Sequence, residues 1–228
     1  GYIYTLLTVN MSIIQEILNI STTLLAFGVG LFFYKHLQQF CRILFFLVGV
    51  CLLTTIISRT CTPSNNGWLY NIYIVIETAT LLFAAQAYFN TKKSKQVLML
   101  LLGVFLSVFF ADVLYFRDMM KLSHRAIIVE GMILTGVFLW LLYNQLTQKT
   151  NRPSKAIVVA SIGMVFYFAG IIPYLGAIFY IHHMDPALGK KLFYSIVIGL
   201  SLLRYLLVAI AFFMEGRKAT RKNRNQER

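Results

Sequence analysis

The stretch WLYNIYIVIETATLLFAAQAYF, residues 68–89, decides how the rest of the chain must be arranged. It is long and apolar enough to cross a bilayer as a helix, yet it carries a carboxylic acid, Glu77, near its middle. An ionisable group at the bilayer centre costs about 3 kcal/mol on insertion scales, so it should face other protein and have a partner there. Arg204 is the basic side chain that the sequence offers at a comparable depth. We therefore predict that Glu77 and Arg204 form an ion pair.

The composition of the whole chain is that of a membrane protein. Of its 228 residues, 58% are hydrophobic and 13% are charged, whereas soluble domains carry about 25% charged residues. A chain of this length holds about seven spans of about 20 residues with short links, and we expect no soluble domain in it. The net charge of +13 comes mainly from links and from the C-terminal segment, so topology explains it and we expect no nucleic-acid partner.

The apolar runs predict an all-α membrane protein, a bundle of seven transmembrane helices in contact with the lipid bilayer. Backbone polar groups in lipid need internal partners, and long uninterrupted apolar runs satisfy them as helices. We assign residues 1–12 to an outer N-terminal segment, 13–214 to the seven-helix domain and 215–228 to a basic cytoplasmic tail. The predicted spans are residues 13–34, 43–57, 68–89, 97–116, 126–146, 156–181 and 192–214.

The lysines and arginines indicate the orientation of the bundle. Fourteen of them lie in the tail and in the links after the first, third and fifth spans, and six lie in the other links. The positive-inside rule therefore predicts an N-terminus outside and a C-terminus in the cytoplasm. We expect an integral multi-pass protein of a bacterial inner membrane. The tail is too short for an enzymatic domain, so any output must pass through a separate protein or through transport.

Three further acids lie nearer the outer ends of their spans than Glu77 does. They are Glu16, Asp112 and Glu130, and together they suggest a cavity that is open to the outside. The alternative is that these acids are hydrated residues at the membrane interface, where snorkelling costs little. The pair of Glu77 and Arg204 likewise has two interpretations, part of a functional site or a structural ion pair that fixes helix packing.

Aromatic and polar side chains on the same helix faces complete the predicted ligand site. Tyr73 recurs on the face of Glu77, Ser201 lies close to Arg204, and Tyr174 belongs to the sixth span. Aromatic rings with a few convergent polar groups are what a small-molecule pocket needs, although tyrosines at such spacing also serve helix packing. The predicted ligand-binding residues are Glu77, Arg204, Tyr73, Glu16, Glu130, Asp112, Ser201 and Tyr174.

Two outer links contain residues that can ligate metals. His182, His183 and Asp185 follow the sixth span, and His124 lies on a neighbouring link. The spacing HHxD matches no strong zinc pattern, and adjacent histidines rarely bind one ion. We predict solvated loop residues and no metal site.

The cysteines and the sixth-span proline each permit a simple prediction. Cys41, Cys51 and Cys61 lie at three different depths, so they cannot form a disulfide framework and we predict free thiols. Pro173 should kink its helix, with Gly170 and Gly176 allowing close approach of a neighbour. That helix is then either a moving part or a static packing device.

Two short motifs resemble those of a known group. Asn71-Ile72-Tyr73 leading to Glu77, with Phe166-Tyr167-Phe168 in the sixth span, resembles small seven-helix membrane proteins of the Bacteroidetes with unassigned function. The resemblance implies that some of them sit beside sensor kinases.

Two better-known groups resemble the chain in topology. Microbial rhodopsins share the helix count, but the seventh span has no lysine for a retinal Schiff base, so we expect no retinal and no other cofactor. SWEET-type sugar transporters share it too, but their helix prolines are missing here apart from Pro173.

These observations favour a heptahelical receptor or sensor. It would bind a small ligand in an outward-facing polar pocket and signal through a separate cytoplasmic or membrane partner protein. The alternative is a small-molecule or proton-coupled transporter, with Glu77 as the coupling group. An intramembrane lipid enzyme is a weaker alternative, because the sequence has no HExxH, GxSxG or paired catalytic motif, and we do not expect an enzyme.

Overall fold

The computed structural model describes residues 2–60, 66–89, 91–116, 123–147, 154–184, 188–189 and 192–226. Within these ranges the side chains of residues 2–16, 116, 178–180, 182–184, 193–194 and 219–226 are not described. All regular structure in the described chain is helical. The helices are α1 (Tyr2–Phe33), a 3-10 helix (Tyr34–His36), α2 (Gln39–Thr60), α3 (Gly67–Phe89), α4 (Lys92–Phe116), α5 (His124–Thr147), α6 (Lys155–Met184), a π-helix (Phe193–Ile198) and α7 (Gly199–Gln226).

The helices confirm the predicted all-α, seven-helix membrane fold. Seven helices in the described ranges are long and apolar enough to cross a bilayer. Large apolar side chains also point away from the bundle, among them Phe32, which is 80% exposed, and Leu114, which is 72% exposed. A soluble protein rarely exposes so much apolar surface. The protein is therefore an integral multi-pass membrane protein whose outer surface contacts lipid.

Two helices extend past the spans expected from hydropathy. α1 begins at Tyr2 and α7 continues to Gln226, so both enter segments that the sequence analysis placed outside the bundle. Hydropathy marks where a helix leaves the hydrocarbon, whereas α7 can continue into water because its extension contains lysine, arginine and glutamate, which are good helix formers.

Six of the helices form a closed ring, and α4 lies outside it. Around the ring the order is α1, α2, α3, α5, α6 and α7, and α7 packs back against α1. α4 packs against α3 and α5, which also contact each other directly. The ring therefore closes without α4, and side chains of α4 reach the interior of the ring less easily than those of the other helices.

Two glycines bring α6 close to α7. A Cβ atom at Gly170 would lie 2.6 Å from the Cδ1 atom of Leu200, and one at Gly163 would lie 3.1 Å from the Cβ atom of Leu207. Small residues allow this close packing of membrane helices. At Gly176 an added Cβ would meet no described atom within 4 Å, so the described residues make no close helix contact there. α6 continues through Pro173 to Met184.

The two halves of the bundle are filled differently. The tail-side half, defined as the half that holds the C-terminal ends of α1, α3, α5 and α7, is packed with aliphatic and aromatic side chains. In it the Phe27 and Phe45 rings stack at 5.0 Å, and the Phe89 and Trp140 rings stack at 4.0 Å. The opposite half, called here the far half, contains most of the polar interior.

Candidate ligand-binding cavity

A cavity of about 420 Å³ lies inside the ring in the far half. Its walls come from the C-terminal parts of α2 and α6, the N-terminal parts of α3, α5 and α7, and residues 19–20 of α1. The π-helix contributes Val197 and Ile198. Among the described residues, α4 contributes none. The cavity volume lies within the range of about 300–1,000 Å³ found for sites of drug-sized ligands.

The predicted ion pair is present at the deep end of the cavity. The Nη2 atom of Arg204 lies 2.5 Å from the Oε1 atom of Glu77, and the two side chains are 2% and 4% exposed. Tyr73, one helical turn from Glu77, donates a hydrogen bond of 3.1 Å to the same Oε1 atom. The charge of Glu77 is therefore matched within the protein.

Three aromatic rings surround the guanidinium of Arg204. Its Cζ atom lies 4.7 Å from the ring centre of Tyr167, 5.3 Å from that of Phe168 and 5.4 Å from that of Tyr205. The Nε atom is buried and makes no hydrogen bond to any described residue. Cation–π contacts of a desolvated guanidinium contribute about 2 kcal/mol, so rings and carboxylate together hold Arg204 in place.

Glu130 is a second buried acid on the cavity wall, and no basic side chain of the described residues forms an ion pair with it. The residue is 2% exposed, and the described ion pairs join Arg204 to Glu77 and Arg125 to Asp112. The hydroxyl of Thr78 donates to the Oε1 atom of Glu130 at 2.7 Å. That hydroxyl also lies 2.9 Å from the carbonyl oxygen of Ile74. Because a hydroxyl has one proton, it can satisfy only one of these acceptors at a time.

Two more predicted site residues reach the cavity. Ser201 and Tyr174 both line it, and Tyr174 is 6% exposed. The Ser201 hydroxyl donates to the Oδ1 atom of Asn19 at 2.9 Å, which links α7 to α1. Six of the eight predicted residues therefore share one cavity, namely Tyr73, Glu77, Glu130, Tyr174, Ser201 and Arg204.

The other two predicted residues are not part of the described cavity. Asp112 lies on α4, accepts a hydrogen bond from the Ser123 hydroxyl and lies 3.9 Å from the Nη1 atom of Arg125. It therefore joins the end of α4 to the start of α5. It does not line the cavity, because α4 is outside the ring. Glu16 belongs to α1, but its side chain lies outside the described residues.

The polar residues of α2 belong to the cavity wall, although they were not among the predicted site residues. Cys51, Thr55 and Ser58 line the cavity and recur at helical spacing along the far half of α2. The Tyr205 hydroxyl donates to the Sγ atom of Cys51 at 2.8 Å. That polar stripe in an apolar helix was the signal that could have identified this wall.

The cysteines and histidines add no metal centre in the described chain. No group of three or more His, Cys, Asp or Glu side chains there could hold a metal ion. The side chains of His182, His183 and Asp185 lie outside the described residues. Cys41 and Cys51 are free thiols, as predicted, and Cys61 is not described.

Comparison with known proteins assigns no family to this chain. No family model matches it, and neither a curated relative nor a solved structure proved similar to it. The seven-helix membrane topology is the feature that it shares with the groups it resembles. Any functional assignment therefore has to come from the cavity.

Proposed function

We propose that this membrane protein is a heptahelical receptor or sensor that binds a small ligand in the cavity of the ring. The observation that carries the proposal is the cavity itself, about 420 Å³ in volume, with aromatic and polar side chains from six helices. Ligand sites in proteins combine a largely apolar wall with a few polar groups that fix orientation. Buried ionisable groups inside a membrane bundle also mark functional sites by default.

The wall between α6 and α7 is the part best suited to respond to a ligand. The π-helix Phe193–Ile198 precedes α7 directly, and its last two residues line the cavity. Single π-helical turns occur frequently at functional sites. Pro173 removes one backbone hydrogen bond from α6 close to cavity residues Tyr174 and Leu175. A ligand that pushes on this wall would displace α6 and α7 together.

The basic end of α7 is where the proposed signal would leave the membrane. α7 continues as a helix to Gln226 and contains Arg217, Lys218, Arg221 and Lys222 in its last turns. The distribution of basic residues favours a cytoplasmic location for this end and an outward-facing cavity. The partner would then be a separate protein of the cytoplasm or of the inner membrane.

A cavity-filling variant tests the proposed binding site. Ser201→Trp places an indole in the cavity, and Leu203→Trp is the matched control, because Leu203 is on the same helix and is 37% exposed. Purified proteins are heated in detergent with fractions of a small-molecule extract of the source cells. A ligand at about 100 times its Kd adds about 2.7 kcal/mol to the free energy of unfolding.

We expect at least one fraction to raise the melting temperature of the wild type and of Leu203→Trp, but not that of Ser201→Trp. Equal shifts in all three proteins, or no shift with any fraction, would contradict the proposal.

Glu130 supports a second candidate, a proton-coupled transporter. A buried acid that forms no ion pair with the described basic side chains is a group that can carry a proton through the membrane. In proteoliposomes a receptor binds ligand only up to the amount of protein present. A transporter accumulates ligand beyond that amount when a pH gradient is applied, and Glu130→Gln should then abolish the accumulation while leaving the vesicles intact.

A further inference from the structure

We propose that the ligand of the cavity is an organic ammonium compound, whose positive charge pairs with Glu130. This inference rests on the proposed function of the cavity as a binding site. The two acids of the cavity wall differ in whether they have a basic partner. Glu77 lies 2.5 Å from a guanidinium nitrogen, whereas no basic side chain of the described chain pairs with Glu130.

Because Glu130 is buried, a negative charge on it would need a cation close by. Glu130 is 2% exposed, and its described polar partner is the Thr78 hydroxyl at 2.7 Å. A hydroxyl supplies a dipole and no net charge, so it cannot compensate for the loss of water around a carboxylate. A cationic ligand does so, whereas beside a neutral ligand the acid has to take up a proton to stay buried.

The basic residues of the cavity are poorly placed to bind an anion. The guanidinium of Arg204 is enclosed by Glu77 and three aromatic rings, and its Nε and Nη2 atoms are buried. Arg59 also lines the cavity, but it is exposed, so water screens its charge. An anionic ligand would therefore meet the carboxylate of Glu130 without gaining an unshielded cation in return.

Aromatic rings that line the same cavity suit an ammonium group. Tyr73 and Tyr174 both line the cavity with Glu130. The faces of such rings carry partial negative charge and attract ammonium groups, most strongly where water is excluded. Aliphatic side chains, among them Ile127 and Ile171, line other parts of the cavity. The fitting ligand therefore has one ammonium group and an apolar body.

The thiol of Cys51 allows the charge preference of the cavity to be measured without knowing the ligand. Cys51 lines the cavity, so Cys41→Ala and Cys61→Ala leave one thiol as a reporter. The probes are methanethiosulfonates with a cationic 2-aminoethyl, an anionic 2-sulfonatoethyl or a neutral methyl group. Each reaction rate is divided by the rate of the same reagent with 2-mercaptoethanol.

We expect the cationic reagent to exceed the anionic one by about tenfold in the protein with only Cys51, because a carboxylate in the same cavity attracts one and repels the other. Glu130→Gln should bring this ratio close to one. Asp112→Asn is the matched control, since it removes an acid on α4, outside the cavity, and should leave the ratio unchanged. Glu130→Asp keeps the charge and should keep the preference.

Each outcome decides between the ligand class and the site. If the neutral reagent reacts but the cationic reagent reacts no faster than the anionic one, the cavity is accessible and the proposed ammonium ligand is wrong. Equal effects of Glu130→Gln and Asp112→Asn overturn the assignment to Glu130. No reaction with any reagent means that the cavity is closed to solutes, and the proposed function fails with it. If Glu130→Gln does not fold, the ratios of the parent protein and Glu130→Asp decide alone.

Discussion

Glu77 and Glu130 are both buried acids on the wall of one cavity, yet their surroundings differ. Glu77 has an arginine at 2.5 Å and a tyrosine hydroxyl at 3.1 Å, whereas Glu130 has one threonine hydroxyl at 2.7 Å. The comparison shows that burial alone does not identify a binding group. A buried acid that is neutralised within the protein contributes to the architecture, whereas one that lacks a cation is available to a ligand.

Arg204→Met should have the largest effect on the free energy of unfolding, because it leaves Glu77 without an ion-pair partner, as Glu130 is in the described chain. Removing one partner of a buried ion pair costs about 3–5 kcal/mol in the free energy of unfolding. Adding Glu77→Gln to Arg204→Met should restore a large part of that loss. Thermal unfolding of the purified variants in detergent measures both effects. A single variant as stable as the wild type would show that the pair does not hold the bundle together.

Gly170→Ala should be next in size, because it disturbs the helix contact that places Arg204 beside Glu77. The new methyl group would lie 2.6 Å from the Cδ1 atom of Leu200, and overpacking of this kind costs about 1–3 kcal/mol. Gly176→Ala is the control and should be neutral or slightly stabilising, because it has space and alanine favours helix. Equal melting temperatures of the two variants would mean that the Leu200 side chain moves aside and that this contact does not hold α6 against α7.

Tyr73→Phe tests the surroundings of Glu77 and should lower the free energy of unfolding by less than the two preceding changes. It removes one hydrogen bond to the Oε1 atom of Glu77 but leaves the ring and Arg204 in place, and such a bond contributes about 1 kcal/mol. The loss should disappear when Glu77 and Arg204 have already been replaced together. A loss that persists in that background would assign the role of Tyr73 to packing.

Glu130→Gln should have the smallest effect on stability and still abolish the response to a ligand. No ion pair is broken, and the amide oxygen can still accept from Thr78, so the free energy of unfolding should change by less than about 1 kcal/mol. The melting curve of the ligand-free protein tests the first part, and the shift with an active extract fraction tests the second. A loss as large as that of Arg204→Met would mean that Glu130 is structural.

The seven membrane helices and the ion pair could be predicted from the sequence. Long apolar runs have few alternatives in lipid, and Arg204 was the cation at the right depth for Glu77. Hydropathy gives the depth of a residue along its helix, but not its direction around the bundle. That is why Asp112 and Glu130 looked equivalent, although α4 lies outside the ring and α5 belongs to it.

The cavity wall contributed by α2 could be predicted only in part. Cys51, Thr55 and Ser58 form a polar stripe, but such residues also bond to their own helix backbone, as Thr55 does to the Cys51 carbonyl at 2.9 Å. Which of these roles dominates depends on the neighbouring helices. The packing order of the ring, with α3 in direct contact with α5, is a property of the whole bundle and has no local signal.

The most direct test of an outward-facing ligand cavity is the labelling of Cys51 from the two sides of the membrane. In the Cys41→Ala, Cys61→Ala background, a membrane-impermeant cationic methanethiosulfonate with a trimethylammonium group is added to intact cells and to inside-out vesicles. We predict rapid modification of Cys51 in intact cells, slow modification in inside-out vesicles, and protection by Ser201→Trp but not by Leu203→Trp. Modification only in inside-out vesicles, or in neither preparation, would contradict this account.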